Sequence, residues 1–253
     1  MTEASLPPRL SLSDFRVGSV LNRTLSVLSR NFLTFFIVTT IAGLPTVLLS
    51  HSGMFMDGKT VQNPGQVFGM LLLSLFLGIV LYTFSQAIVL YGAFQDMRGR
   101  SVSLVESLQV GLRRFFPIIG VAIAVSFVVM LGFILFIVPG LILLTMWFVA
   151  TPACVVEQLG PFKSMGRSAA LTGGHRWKIF GLMLLLFVIN GVGSGMIGGI
   201  LAVVGGPTLV LIGSLIWSGI WGACYAVAAV VTYHDLRVAK EGIDIEQIAS
   251  VFD

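Results

Sequence analysis

Four stretches of the chain contain no Asp, Glu, Lys or Arg: Phe32–Ser50, Val67–Gln95, Phe115–Val156 and Ile179–Tyr233. A helix that spans a bilayer needs about 20 predominantly apolar residues. The first two stretches hold one such span each. The third is interrupted by Pro139-Gly140 and the fourth by Gly205-Gly206-Pro207, both of them turn chemistry in apolar surroundings. Six spans follow. Composition agrees, with 56% of the 253 residues hydrophobic, 10% charged and a mean hydropathy of +0.98. A soluble domain carries about 25% charge, so a water-facing surface could not be covered here. A buried soluble core is the bland alternative for such runs.

The basic residues fall on one side of these spans. Arg9, Arg16, Arg23 and Arg30 precede the first span, and Arg98, Arg100, Arg113 and Arg114 follow the second. Lys163, Arg167, Arg176 and Lys178 follow the fourth, Arg237 and Lys240 follow the sixth, and Lys59 alone falls opposite. Lys and Arg stay cytoplasmic because moving them across is costly and the anionic inner leaflet holds them. Both termini are therefore expected in the cytoplasm. The net charge of +4 reflects this distribution, not nucleic-acid binding. The first 30 residues lack the apolar core and cleavage site of a secretory signal. Their Arg- and Ser-rich, acid-poor composition leaves a mitochondrial presequence as the alternative. Cys154 and Cys224 read as buried small hydrophobes without a disulfide.

A repeat accompanies the charges. Arg9, Arg16, Arg23 and Arg30 lie seven apart, which keeps them on one helix face. Val17, Val20, Leu21, Thr24, Leu25, Val27 and Leu28 fall on the other. That is the pattern of a helix lying in the membrane interface, with a solvated surface helix as the alternative. Acids at Asp14, Asp96, Glu157 and Asp235 each open a similar unit. The unit reads acid, short amphipathic helix, basic pair, aromatic residue, then two spans. Its junctions are "RNFLTFF", "RRFFPII" and "HRWKIF". Three copies are expected, at about 14–95, 96–156 and 157–234, inside one membrane domain over 11–236. A flexible segment at 1–10 and a cytoplasmic tail at 237–253 complete the organisation. Ser103 to Glu106 reads as a capping box, Gly160-Pro161 as a helix start and Gly173-Gly174 as a stop.

Within the spans, Gly191, Gly195 and Gly199 recur every four residues, as do Ser214, Ser218, Gly222 and Ala226. Small residues at this period let helices approach closely in lipid. The expectation is packing of the last two spans on each other, with a homo-oligomer seam as the alternative. No ionisable Asp, Glu, Lys or Arg lies at mid-membrane depth, where ion-coupled transporters keep such groups. Asn190 is the most central strongly polar side chain and reads as a helix–helix hydrogen bond. Pro45 and Pro152 should bend their spans. His51, His175 and His234 are scattered, and no catalytic or metal motif is present. No cofactor, metal or enzymatic activity is expected.

The stretch "VPGLILLTMWFVATPACVVEQLGPFKSMGRSAALTGGHRWKIFGL" (Val138–Leu182) and the tail "YHDLRVAKEGIDIEQIASVF" (Tyr233–Phe252) resemble a known group. It comprises bacterial membrane proteins related to YciC and to the membrane domain of glycerophosphoryl diester phosphodiesterases. The resemblance implies a six-helix protein of the bacterial cytoplasmic membrane and no reaction, since phosphodiesterase chemistry belongs to a separate soluble domain.

The expected fold is an all-α integral membrane protein, with six transmembrane helices as three hairpins. A cytoplasmic interfacial amphipathic helix precedes each hairpin. The expected headgroup collar comprises Arg16, Arg23, Arg30, Arg98, Arg113, Arg114, Lys163, Arg167, Arg176, Lys178 and Arg237. Its partners would be anionic lipids of the cytoplasmic leaflet, a partner protein or a second copy. The functional expectation is a non-enzymatic scaffold or lipid-interacting protein. A transporter or lipid-translocating protein for a small or amphiphilic substrate, with Pro45, Pro152 and Asn190 near a cavity, is the alternative.

Overall fold

Apolar runs without charge can satisfy their backbone only by coiling on themselves. Accordingly, every element among the described residues is an α-helix. The computed structural model describes residues 15–55 and 64–242. Arg9, Asp14, Lys59, the expected 1–10 segment and the tail beyond Gly242 lie outside the described residues. In chain order the helices are α1 (Val17–Arg30), α2 (Phe32–Phe55), α3 (Pro64–Met97), α4 (Leu104–Arg113) and α5 (Phe115–Leu135). They continue with α6 (Ile137–Met146), α7 (Ala150–Val156), α8 (Pro161–Thr172) and α9 (Arg176–Glu241).

Several helices are long and apolar enough to cross a membrane. They are α3 over Leu72–Met97, α5, α6 continued by α7, and α9. The pair α1 and α2, which meet at 88°, joins them if counted as one bent segment. As a straight rod α9 would be about 100 Å long at 1.5 Å per residue, far beyond a bilayer. It turns instead at Gly206, whose φ of 66° suits a residue without Cβ. The two arms, 176–205 and 207–241, then run side by side. Gly193 has no room for a Cβ beside the Trp217 ring, and Gly213 has none beside Leu201.

The other apolar break differs from the expected Pro139-Gly140. The chain turns at Phe136, which is fully extended (φ −162°, ψ 154°). Pro139 sits in the first turn of α6, where a missing N–H costs no helix hydrogen bond. Gly140 is needed for contact, because a Cβ there would meet the Phe133 ring across the turn. Pro152 likewise sits in the first turn of α7, just after the break at Trp147–Val149. Pro45 lies inside α2, which remains one helix.

The small-residue strips separate. A Cβ added at Gly191, Gly195 or Gly199 would meet nothing within 4 Å, so this strip does not form the expected contact. Ser218 and Gly222 do pack closely, but against α2. A Cβ at Gly43 would lie 3.5 Å from the Ser218 hydroxyl, and one at Gly222 would lie 3.3 Å from Thr39. Thr39 donates its hydroxyl to the Gly219 carbonyl at 2.7 Å, and Gln86 of α3 donates to the Gly222 carbonyl at 3.0 Å. Asn190 accepts from the Trp217 indole at 3.1 Å, joining the two arms.

Candidate functional site

The helix ends that carry the basic residues gather at one end of the bundle. α1 brings them together. Its Val20 and Val27 are fully buried, in the core that also contains the second arm of α9. The apolar face expected to lie in lipid is thus covered by protein, apart from the exposed Leu25. On the opposite face Arg23 donates to Asp235 at 2.5 Å and stands 3.2 Å from His234 Nδ1. One heptad later, Arg30 holds both carboxylate oxygens of Asp96 (2.5 and 3.3 Å), and Asn31 donates to the same group at 2.8 Å. The seven-residue spacing lets one helix face clasp the ends of α9 and α3. The Asp96 hydrogen bond raises the Arg30 pKa, its charge adding to the shift while slight burial opposes it.

The third acid forms the centre of a larger cluster. Arg167 of α8 donates from Nε to both oxygens of Glu157 (2.8 and 2.9 Å) and from Nη2 to Glu241. Tyr233 donates its hydroxyl to Glu157 at 2.6 Å, and Arg237 donates to Glu241 at 2.9 Å. Two arginines and two glutamates leave the cluster without net charge. Burial raises the Glu241 pKa, but the hydrogen bonds from Arg167 and Arg237 outweigh it and hold the carboxyl below its ordinary 4.5. The three repeat acids within the described residues, Asp96, Glu157 and Asp235, therefore each hold an arginine. Four members of the expected collar, Arg23, Arg30, Arg167 and Arg237, are bound to carboxylates.

The rest of the collar is differently placed. Arg114 forks onto the Gln158 carbonyl (2.9 Å) and its side-chain oxygen (2.6 Å), fixing Gln158 at a positive φ of 56°. Arg98 lies over the Phe94 ring at 5.7 Å. Arg16, Arg113, Lys163, Arg176 and Lys178 have no carboxylate partner among the described residues. Large exposed aromatics stand beside them. Phe116 is 82% exposed near Arg113 and Arg114, Phe162 is 81% exposed beside Lys163, and Trp177 is 86% exposed between Arg176 and Lys178.

The domain of unknown function DUF7847 matches residues 15–236. The chain belongs to this family. No curated protein and no solved structure matches it. The DUF7847 match begins at Phe15, whose ring meets His175 edge-on at 5.8 Å, and ends one residue past Asp235. It thus encloses the Arg23–Asp235 and Arg30–Asp96 clasps.

Several residues of the rim are not legible in the sequence. The capping box is half present. Ser103 accepts from the Glu106 N–H at 3.3 Å, but its own N–H goes to Gln95. Glu106 is taken by Tyr91 (2.7 Å) and Gln95 (2.6 Å) instead. Glu241 was also missed, although its i,i+4 spacing from Arg237 signals a helical pair. α9 continues through the expected tail to Glu241 and ends at Gly242, whose φ of 64° closes the helix.

Deeper in the bundle lie two cavities of about 290 and 280 Å³. Tyr82 and Gln86 line both, Pro152 lines the first and Asn190 the second. Pro45 lines neither. Among the described residues no cluster of His, Cys, Asp or Glu could hold a metal ion.

Proposed function

We propose that this chain is a six-span protein of the bacterial cytoplasmic membrane whose rim binds anionic headgroups. It acts as a non-enzymatic scaffold or lipid partner. The spans are α2, α3, α5, α6 with α7, and the charge-free lengths of the two α9 arms, 179–205 and 207–233, paired as three hairpins. α1, α4 and α8 lie ahead of them at the cytoplasmic interface, with both termini on that side. The one-sided basic residues and the resemblance to YciC-type membrane proteins support this arrangement.

One observation carries the headgroup reading. Phe116, Phe162 and Trp177 are each more than four-fifths exposed; Phe162 and Trp177 adjoin basic residues with no carboxylate partner, and Phe116 follows one, Arg113, by three residues. Exposed rings are costly in water, whereas aromatic side chains favour headgroup depth. A basic residue there gains about 1 kcal/mol from an anionic surface. The rim thus divides its cations. Arg23, Arg30, Arg167 and Arg237 fasten helix ends, while Arg98, Arg113, Lys163, Arg176 and Lys178 face the lipid.

The test uses the full chain in nanodiscs of mixed phosphatidylglycerol and phosphatidylcholine, with retained lipid identified by mass spectrometry. Combined Arg98→Gln, Arg113→Gln, Lys163→Gln and Lys178→Gln should lower the enrichment of phosphatidylglycerol to what Arg176 alone retains. Undiminished enrichment would overturn the reading.

A second reading is translocation of a small or amphiphilic substrate, lipid included, for which the two cavities that share Tyr82 and Gln86 in their walls speak. Proteoliposomes with a fluorescent phospholipid would then bleach beyond the outer-leaflet fraction, and Tyr82→Trp would suppress the excess. Bleaching no different from protein-free vesicles would rule out phospholipid translocation.

A further inference from the structure

The first arm of α9 and the α5–α6 turn leave a groove between them on the outside of the bundle. Two adjoining hollows form it, of about 430 and 420 Å³, and both include Leu141, Thr145 and Phe180. Arg176 and Trp177 stand at one end, Phe133 and Phe187 at the other. The lining between them is apolar. Thr145 is no exception, because its hydroxyl turns back onto the Ile142 carbonyl at 2.8 Å. Arg176 is the one charged residue in the lining. It has no carboxylate partner among the described residues. Ile142 on one wall and Leu184 on the other are half-exposed, so the groove is open along its side.

Length decides what fits. Arg176 and Phe187 are eleven residues apart on one helix, about 16 Å at 1.5 Å per residue. Half of a hydrocarbon core is about 15 Å. The groove is one leaflet long, with a cation and an indole at its mouth. A free phosphate would leave the apolar walls unused, and an apolar peptide would leave the guanidinium without an anion. We propose that the groove holds one anionic phospholipid of the rim-side leaflet. Its phosphate pairs with Arg176, its ester region lies at the depth of Trp177, and an acyl chain runs along Phe180 and Leu184 toward Phe187. This rests on the preceding reading in taking the rim as the headgroup-facing end.

The full chain in nanodiscs of equal phosphatidylglycerol and phosphatidylcholine, matched in acyl chains, provides the test. Native mass spectrometry after release counts the lipids that stay bound. The parent should keep one phosphatidylglycerol in at least tenfold excess over phosphatidylcholine. Leu184→Trp and Ile142→Trp fill the groove from opposite walls at half-exposed positions, where folding is little disturbed. Each should lower that retained lipid at least tenfold. Arg176→Gln should keep a lipid but level the two headgroups. The proposal is overturned if both tryptophan variants keep the lipid, or if Arg176→Gln keeps the preference. The quadruple rim variant separates the two readings. Loss of lipid in the groove variants alone leaves the groove standing without the wider rim, and loss in the rim variant alone does the reverse.

Discussion

The two arms of α9 carry the same sequence device and use it differently. Residues 176–205 present Gly191, Gly195 and Gly199 every four residues, and residues 207–241 present Ser214, Ser218, Gly222 and Ala226. The second strip lies against α2, where Thr39 both packs against Gly222 and donates to the Gly219 carbonyl. The first strip meets open space. Small residues make a helix face smooth, which permits close approach. They do not supply the opposing threonine, glutamine or aromatic that makes the approach favourable. What α9 packs with is decided by Thr39, Thr40, Phe36 and Gln86 on other helices.

The comparison breaks most severely at Gly219. A Cβ there would collide with the Thr40 hydroxyl and lie 3.0 Å from the Phe36 ring. Overpacking a well-filled contact costs about 1–3 kcal/mol and sometimes more. Gly219→Leu should therefore abolish monodisperse yield in detergent. Gly195→Leu, in open space, should stay within about 0.5 kcal/mol of the parent, as exposed substitutions do. Equal losses for both variants would show that the first strip also has a partner.

How far this was readable in the sequence depends on the kind of information required. The apolar runs were plain because the absence of charge is a local property. The turn at Gly206 lies within the glycine-proline cluster, since positive φ favours glycine. Phe136 was missed because Pro139 suits a first helical turn as well as a loop. On α1, periodicity located the apolar face but could not tell protein from lipid as its cover. The acids of the repeat were visible, yet Arg23 and Asp235 are 212 residues apart, and no spacing rule links them. Both arms carry the same small-residue spacing, so spacing alone does not tell the strip with a partner from Gly191–Gly199, which has open space beside it.

A smaller effect sharpens the link between the arms. Trp217 donates to Asn190 at 3.1 Å and stacks on Trp221 at 6.3 Å between ring centroids. Trp217→Phe keeps an aromatic ring beside Gly193 and removes the donor. The loss should be about 0.5–1.5 kcal/mol, read from thermal unfolding in detergent. Asn190→Ala should cost a similar amount, and the double variant less than the sum. Full additivity would mean that the hydrogen bond does not hold the arms together.

The smallest effect concerns the end of the second arm, which is fastened at Glu241 in a way the first arm is not. Burial of that carboxyl works against its charge, but Arg167 and Arg237 donate to it and set its pKa below 4.5. A carboxyl whose folded pKa is depressed adds stability above its unfolded value, and loses it as pH falls through the folded one. Glu241→Gln removes the charge at every pH. Parent and variant should therefore differ most near neutral pH and converge as pH drops below about 4.5. The Glu241 side chain is 24% exposed and that of Arg237 is 31%, so solvent screening keeps the difference to about 1 kcal/mol or less. Differential scanning calorimetry of both proteins between about pH 7 and pH 2 would measure it. A gap that persists unchanged at the acid end would assign the role of Glu241 to neutral hydrogen bonding and packing, leaving Arg23–Asp235 as the electrostatic fastening of the second arm.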